Sequence, residues 1–156
     1  MPAVGDRKPV PFANTRFDEY DGKFSPDSAW IAFVSSESGT PEVYVAPVGP
    51  DGEKRPISIG GGTTPRWRKD GRELYYASAG NRSIMAVPIQ LGSTINVGAP
   101  TRLFFLGTDM ATRPNPRNTA YDVSPDGQRF LVSVPAGEQI SSRITVVMNW
   151  SAALTR

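Results

Sequence analysis

Val123-Ser124-Pro125-Asp126-Gly127-Gln128-Arg129-Phe130-Leu131-Val132 is a tight turn running into a strand, and the same stretch occurs twice more in this chain. Its earlier copies are Phe24-Ser25-Pro26-Asp27-Ser28-Ala29-Trp30-Ile31-Ala32-Phe33 and Trp67-Arg68-Lys69-Asp70-Gly71-Arg72-Glu73-Leu74-Tyr75-Tyr76. Pro presets φ for the first corner of such a turn. Asp accepts a hydrogen bond from the backbone two residues on, and Gly takes the positive-φ corner. Aromatic and β-branched residues on both sides make each copy a β-hairpin. A hairpin that returns at intervals of tens of residues signals a stacked or radial repeat.

The strands that follow each hairpin set the unit. The first copy continues into Glu42–Val48 and Arg55–Ile59, the second into Ile84–Ile89 and Thr101–Leu106, and the third into Arg143–Trp150. Pro47 and Pro88 fall at the same place in their units, near a strand end where a missing N–H is tolerated. Four antiparallel strands of this length make a propeller blade. Arg7-Lys8-Pro9-Val10 has the character of Lys54-Arg55-Pro56-Ile57, so about 7–13 is expected to be an outer strand donated to complete a blade. The expected organisation is one domain over 1–156: that donated strand, a blade over 17–59, a second over 63–106 and an incomplete third over 119–150. The fold class is all-β, with three blades per chain. Closed propellers have about four to eight blades. Three blades therefore point to a six-bladed ring formed by a homodimer with terminal-strand exchange, or else to a piece of a longer propeller.

Composition narrows the chemistry. The 156 residues are long enough for one domain with a real core, and 38% apolar with 10% aromatic residues suits a folded β protein. Gly 15 and Pro 15 are scattered, as many turns require. A net charge of +2 gives no argument for nucleic acid or an anionic membrane as partner, and no nucleic acid partner is expected. No apolar stretch approaches the roughly 20 residues of a membrane span. With no Cys and no His there is no disulfide, thiolate nucleophile, imidazole base or imidazole metal ligand. No cofactor and no metal are expected. The chain reads as soluble, compatible with a periplasmic or extracytoplasmic domain of a larger bacterial protein.

The combination of Gly5–Phe12, Phe24–Phe33, Ser38-Gly39, Glu42–Val45, Gly60–Leu74, Tyr121–Phe130 and Val146–Trp150 resembles the WD-repeat-like blades of the TolB propeller superfamily. More narrowly, it is similar to the C-terminal propeller half of bacterial Ser/Thr protein kinases that carry a sensor-like propeller. The resemblance implies a propeller fold and a sensor-like or protein-interaction role. It does not carry kinase activity, because the chain has no Gly-rich nucleotide loop with its Lys and no His-Arg-Asp catalytic loop. Two departures concern the turns: Ser28 stands where Gly is usual, and Arg68-Lys69 replaces Ser-Pro.

Individual residues divide into structural and candidate functional groups. Asp27, Asp70 and Asp126, with Gly71 and Gly127, are turn residues, and an Asp in a turn caps its own backbone. They lie on separate blades, so nothing requires them to converge. Gly60-Gly61-Gly62 is followed by Thr63-Thr64-Pro65 and a strand, not by the Lys-Ser/Thr and helix of a phosphate loop, and so reads as a crossing between blades. Trp30, Trp67, Tyr75, Tyr76, Phe104, Phe105 and Trp150 keep repeat-locked strand positions that suit packing between blades. Arg66, Arg68, Lys69 and Arg72 read as a solvated, salt-bridged surface. The interval from Asp70 to Asp126 is 56 residues against 43 for the preceding one, and part of the excess falls in Gly107–Asn118. Its Arg113, Asn115 and Arg117 are the candidate contact loop.

These features favour a non-catalytic binding or scaffold module that closes its ring by self-association. It would present a channel or loop face to a protein, peptide or small molecule. The alternatives are a carboxylate- or metal-dependent propeller hydrolase or lyase, and a purely structural self-assembling fragment.

Overall fold

The computed structural model describes residues 11–13, 15–49, 52–79, 82–106, 121–134 and 143–148, with the backbone alone for 133, 134 and 143–148. Among them every regular element is a strand, and no helix is long and apolar enough to cross a membrane. The strands are β1 (Glu19–Phe24), β2 (Trp30–Ser35), β3 (Glu42–Pro47), β4 (Arg55–Pro56), β5 (Gly62–Trp67), β6 (Glu73–Ser78), β7 (Ser83–Gln90), β8 (Asn96–Val97), β9 (Thr101–Phe105), β10 (Tyr121–Val123), β11 (Arg129–Val134) and β12 (Arg143–Met148).

They form three antiparallel sheets. Blade 1 has the order β1-β2-β3-β4, and blade 3 has β10-β11-β12. In blade 2, β5, β6, β7 and β9 pair in turn, while the two-residue β8 pairs with the far end of β7. Two details differ from the sequence expectation. β4 is only Arg55–Pro56: Ile57 N still donates to Val43 O, but the Val43 amide donates to the Ser58 side chain instead of returning a ladder bond, and Ile57 is buried. β8 was not anticipated; it arises where the 91–100 connection folds back on Ile89 and Gln90. The expected donated strand at about 7–13 lies mostly outside the described residues. Its described end, residues 11–13, forms no strand, and Phe12 stacks edge-on against Phe33 of β2 at 5.4 Å.

Side chains alternate along each strand, so every blade has two faces. Trp30, Ala32, Val34, Val43 and Val45 leave the back of blade 1 and meet Leu74, Tyr76, Met85, Val87 and Ile89 on the front of blade 2. Tyr75, Ile84, Ala86 and Leu103 on the back of blade 2 meet Tyr121, Phe130 and Val132 on the front of blade 3. Phe130 is the hub of this second core, with Tyr75 and Phe104 edge-on to it at 5.1 and 5.3 Å. Phe105 alternates outward and is largely exposed, so it does not join the packing expected of it. Trp150 lies outside the described residues. The front of blade 1 carries its own small cluster of Ile31, Phe33, Tyr44 and Ala46.

The crossing from blade 1 to blade 2 is held by one buried carboxylate. Glu42 accepts from the Gly61 amide at 2.8 Å and from the Ser58 hydroxyl, and Ser58 Oγ in turn accepts from the Val43 amide at 2.8 Å. Gly62 N donates to Pro41 O at 2.9 Å beside it. Of the three glycines, Gly62 serves a close passage past Ser58 of blade 1, Gly61 is confined by Ala79 of blade 2, and Gly60 stands in open space. Removing the acceptor leaves buried donors unpaired, at a cost of about 1–3 kcal/mol for each group. Glu42→Ala is expected to lower the unfolding free energy by about 2–4 kcal/mol in urea titrations.

Candidate functional site

The three repeat turns sit at one end of the sheets and touch one another in order. In each, the Asp Oδ1 accepts the amide two residues on, at 3.0 Å: Asp27 from Ala29, Asp70 from Arg72 and Asp126 from Gln128. Ser28, Gly71 and Gly127 occupy the corner at φ 60°, 72° and 73°. In the first and third turns a serine (Ser25 or Ser124) donates to the Asp and accepts an amide across the hairpin.

The second turn reaches the same result with different chemistry. Arg68 holds Asp70 through two bonds of 2.7 Å, Nε to Oδ1 and Nη2 to Oδ2, and reaches Glu73 with Nη1 at 2.9 Å. Glu73 Oε2 also accepts from Tyr75 OH at 2.6 Å. A guanidinium fork matches a carboxylate bidentately, so Arg68 supplies the donor to Asp that Ser supplies in the other turns, but not the acceptor for the amide across the hairpin. Its hydrogen bonds hold the Asp70 carboxyl down at about 2. Hydrogen bonds from Ser25 and Ser124 lower Asp27 and Asp126 in the same direction. Burial, reinforced by the bond to Glu73, raises the Tyr75 phenol.

Turn 3 lies on turn 2. Lys69 N donates to Pro125 O at 3.1 Å, and Gly127 sits over the Tyr75 hydroxyl and the Arg68 stem. A Cβ on Gly127 would meet Tyr75 OH and lie 2.7 Å from Arg68 Cδ, so this corner needs glycine for space as well as for φ. The contact opens a cleft of about 600 Å³ lined by Arg68, Lys69, Asp70, Pro125 and Asp126. Asp70 and Asp126 therefore do converge on one cleft, whereas Asp27 does not line it.

The first strands of the blades carry a second charged group. Arg66 Nη1 lies 3.5 Å from Asp21 on β1, and its Nε lies 3.8 Å from Asp122 on β10. One side chain so joins three blades, and it is only 12% exposed. The expectation of a solvated surface holds less well here than for Arg68, because β5 lies between its two neighbours. Asp21 and Thr64, at matching repeat positions, adopt φ 53° and 52° inside bulges of β1 and β5. Thr64 O accepts the Tyr121 hydroxyl at 2.8 Å across the blade joint, and burial raises that phenol well above its ordinary value. Sequence reasoning missed this link; the positive-φ positions are Asp21 and Thr64 rather than glycines, although Gly22 does stand in the β1 bulge. Among the described residues no group of three or more acidic side chains could hold a metal ion. Arg113, Asn115 and Arg117 lie outside the described residues.

No family model and no curated protein matches the sequence. Solved structures do. An oligogalacturonate lyase from Vibrio parahaemolyticus, a β-propeller, superimposes with a TM-score of 0.51 at 12% identity, over 78% of this chain and 31% of that one. TolB from Acinetobacter baumannii, also a β-propeller, gives a TM-score of 0.38 at 15% identity, over 88% of this chain and 43% of that one. The fold is that of a β-propeller. The chain spans less than half the length of either propeller.

Two outcomes follow for the turns of this propeller arc. Carboxyls whose folded pKa is depressed stabilise fully above their unfolded value of about 3.9, and that stability is lost as pH falls through the folded value. The melting temperature should fall between pH 4 and pH 2, and Asp70→Asn should flatten that fall, since Asp70 titrates at about 2. Ser28→Gly should stabilise by about 0.5–1 kcal/mol by relieving a left-handed non-glycine corner. Gly127→Ala should cost more than about 1 kcal/mol. Thermal melts of the three variants check both.

Proposed function

We propose that the chain is a non-catalytic propeller module for binding and scaffolding, whose two end faces are contact surfaces. One observation carries the reading: matching repeat positions differ in exposure between the ends and the middle. Val48 is 48% exposed, whereas Ile89, one repeat on, is 2% exposed. Phe24 is 62% exposed, whereas Trp67 packs against the first core and donates its indole N–H to Lys23 O at 3.1 Å. At the other end Leu131 is 46% exposed, whereas its equivalents Ala32 and Tyr75 are fully buried. The sequence thus keeps Phe24, Val48 and Leu131 apolar although each stays about half exposed or more among the described residues.

The polar groups support the same reading. Asp27, Asp70 and Asp126 each spend an oxygen on their own turn, Arg68 is held by Asp70 and Glu73, and Tyr75 is bonded to Glu73. What they build is a fixed rim around the cleft of Asp70 and Asp126, open to a protein, peptide or small ligand. In the setting that the kinase-type resemblance suggests, such a ring would be a sensor-like domain of a larger protein.

A contact face and a core face respond differently to truncation. At a protein concentration low enough for single chains, Val48→Ala should cost under about 0.5 kcal/mol and Ile89→Ala about 2–4 kcal/mol in denaturant unfolding. Equal costs at the two positions would overturn the reading.

A further inference from the structure

We infer that the front of blade 1 is a docking groove for an extended, proline-rich, basic peptide with one aromatic anchor, and that this chain's own segment 7–12 is its occupant. The inference rests on the contact-face reading above and names what lies on one of the two faces.

Phe33 supplies the first observation. Its repeat equivalent, Tyr76, is 4% exposed because the back of blade 1 packs on it. Phe33 is buried to the same degree, at 5%, in a cluster that contains no residue of another sheet. Phe12 takes the place of the missing neighbour: its ring meets Phe33 edge-on, with centroids 5.4 Å apart. Elsewhere in the same cluster the Lys54 ammonium lies over the Tyr44 ring at 5.2 Å.

The backbone is bent to make this contact. Thr15 Oγ1 accepts from the Phe17 amide at 3.1 Å and donates to Glu19 Oε1 at 3.0 Å. The Asp18 amide donates to Ser36 Oγ at 3.1 Å. These bonds fix a corner just ahead of β1, and that corner returns Phe12 to the sheet. Beside Phe12 runs a cleft of about 490 Å³ whose walls include Phe17, Tyr20, Ile31 and Phe33, with Asp18 and Glu19 among them. No Lys or Arg lines it, and neither carboxylate is ion-paired among the described residues.

The residues before Phe12 have the matching chemistry. They read Arg7-Lys8-Pro9-Val10-Pro11, opposite in charge to Asp18 and Glu19. Pro9 and Pro11 preset the backbone for polyproline II, which docks on aromatic walls at little cost in entropy. Prolines at alternate positions also leave one edge of an extended segment without N–H donors, so rings and charge suit it better than a strand ladder. Phe12 is the anchor at one end, and the basic pair is the clamp at the other.

The chain has no Cys, so Gly5→Cys carries a single nitroxide label in the full-length protein. The amide resonances of residues 17–20 and 31–33 should be broadened selectively, while those of 129–132 are not. A dye-labelled peptide with the sequence of residues 7–13 should bind the full-length Phe12→Ser variant. It should bind the unaltered protein at least about ten-fold more weakly, because the tethered segment competes at high effective concentration. Replacing the peptide's Phe by Ser, or its Arg-Lys by Glu-Glu, should each weaken binding to the variant at least about ten-fold. Adding Asp18→Asn and Glu19→Gln to the variant should abolish the preference for Arg-Lys. Cooperative thermal melts establish that each variant is folded, and Phe12→Leu replaces Phe12→Ser if it is not. Equal binding to both proteins, no binding to the variant, or no selective broadening overturns the inference. So does broadening seen only when label and isotope are carried by different copies. The Val48 and Ile89 comparison is read independently of these results, so the contact-face reading fails or stands separately.

Discussion

A sheet that is apolar on both sides has nowhere to place those side chains except against two other sheets. Blade 2 meets that demand inside the chain, with Leu74, Tyr76 and Met85 toward blade 1 and Tyr75, Ile84 and Ala86 toward blade 3. The rest of the structure follows from it. Strands alternate apolar on both faces rather than apolar and polar, because neither face of an interior blade meets water. The turns gather at one end because stacked sheets carry their hairpins in register. On the front of blade 1 and the back of blade 3 the described residues meet that demand only in part, and Phe24, Val48 and Leu131 stay about half exposed or more.

Charge is used in the joints as sparingly as apolar surface is used freely. Glu42 fixes one crossing through hydrogen bonds to Ser58 and Gly61, Arg66 links the first strands of three blades, and Arg68 ties a turn to the strand beside it. Each of these groups has partners close by, as a charge removed from bulk water must. Their value lies in fixing the register of one sheet on the next. Apolar packing alone would tolerate small slips between two flat faces; a carboxylate bonded to one particular amide would not.

The hairpins and the blade count were legible because Pro, Asp and Gly act within a few residues of themselves. The turn geometry of Asp27, Asp70 and Asp126 is written into four or five consecutive positions, and the local code survives folding. What could not be read depends on contacts between distant segments. The convergence of Asp70 and Asp126 on one cleft requires turn 3 to lie on turn 2. The role of Arg66 requires β1 and β10 to flank β5. β8 has no propensity of its own and exists because 91–100 folds back on the end of β7. Arg68-Lys69 departs from the repeat; in the folded chain the guanidinium takes over the serine's bond to the turn Asp and adds a tie to Glu73.

The glycine slot above Tyr75 also has a bearing on errors of assembly. Similar sheets in one chain risk exchanging places, with the first sheet of one molecule usurping the third position on another and seeding disordered aggregates. Ser28 blocks that exchange, because its side chain would have to occupy the space that Arg68 and Tyr75 leave only for Gly127. One missing carbon atom thereby lets the nascent protein tell its otherwise similar repeats apart.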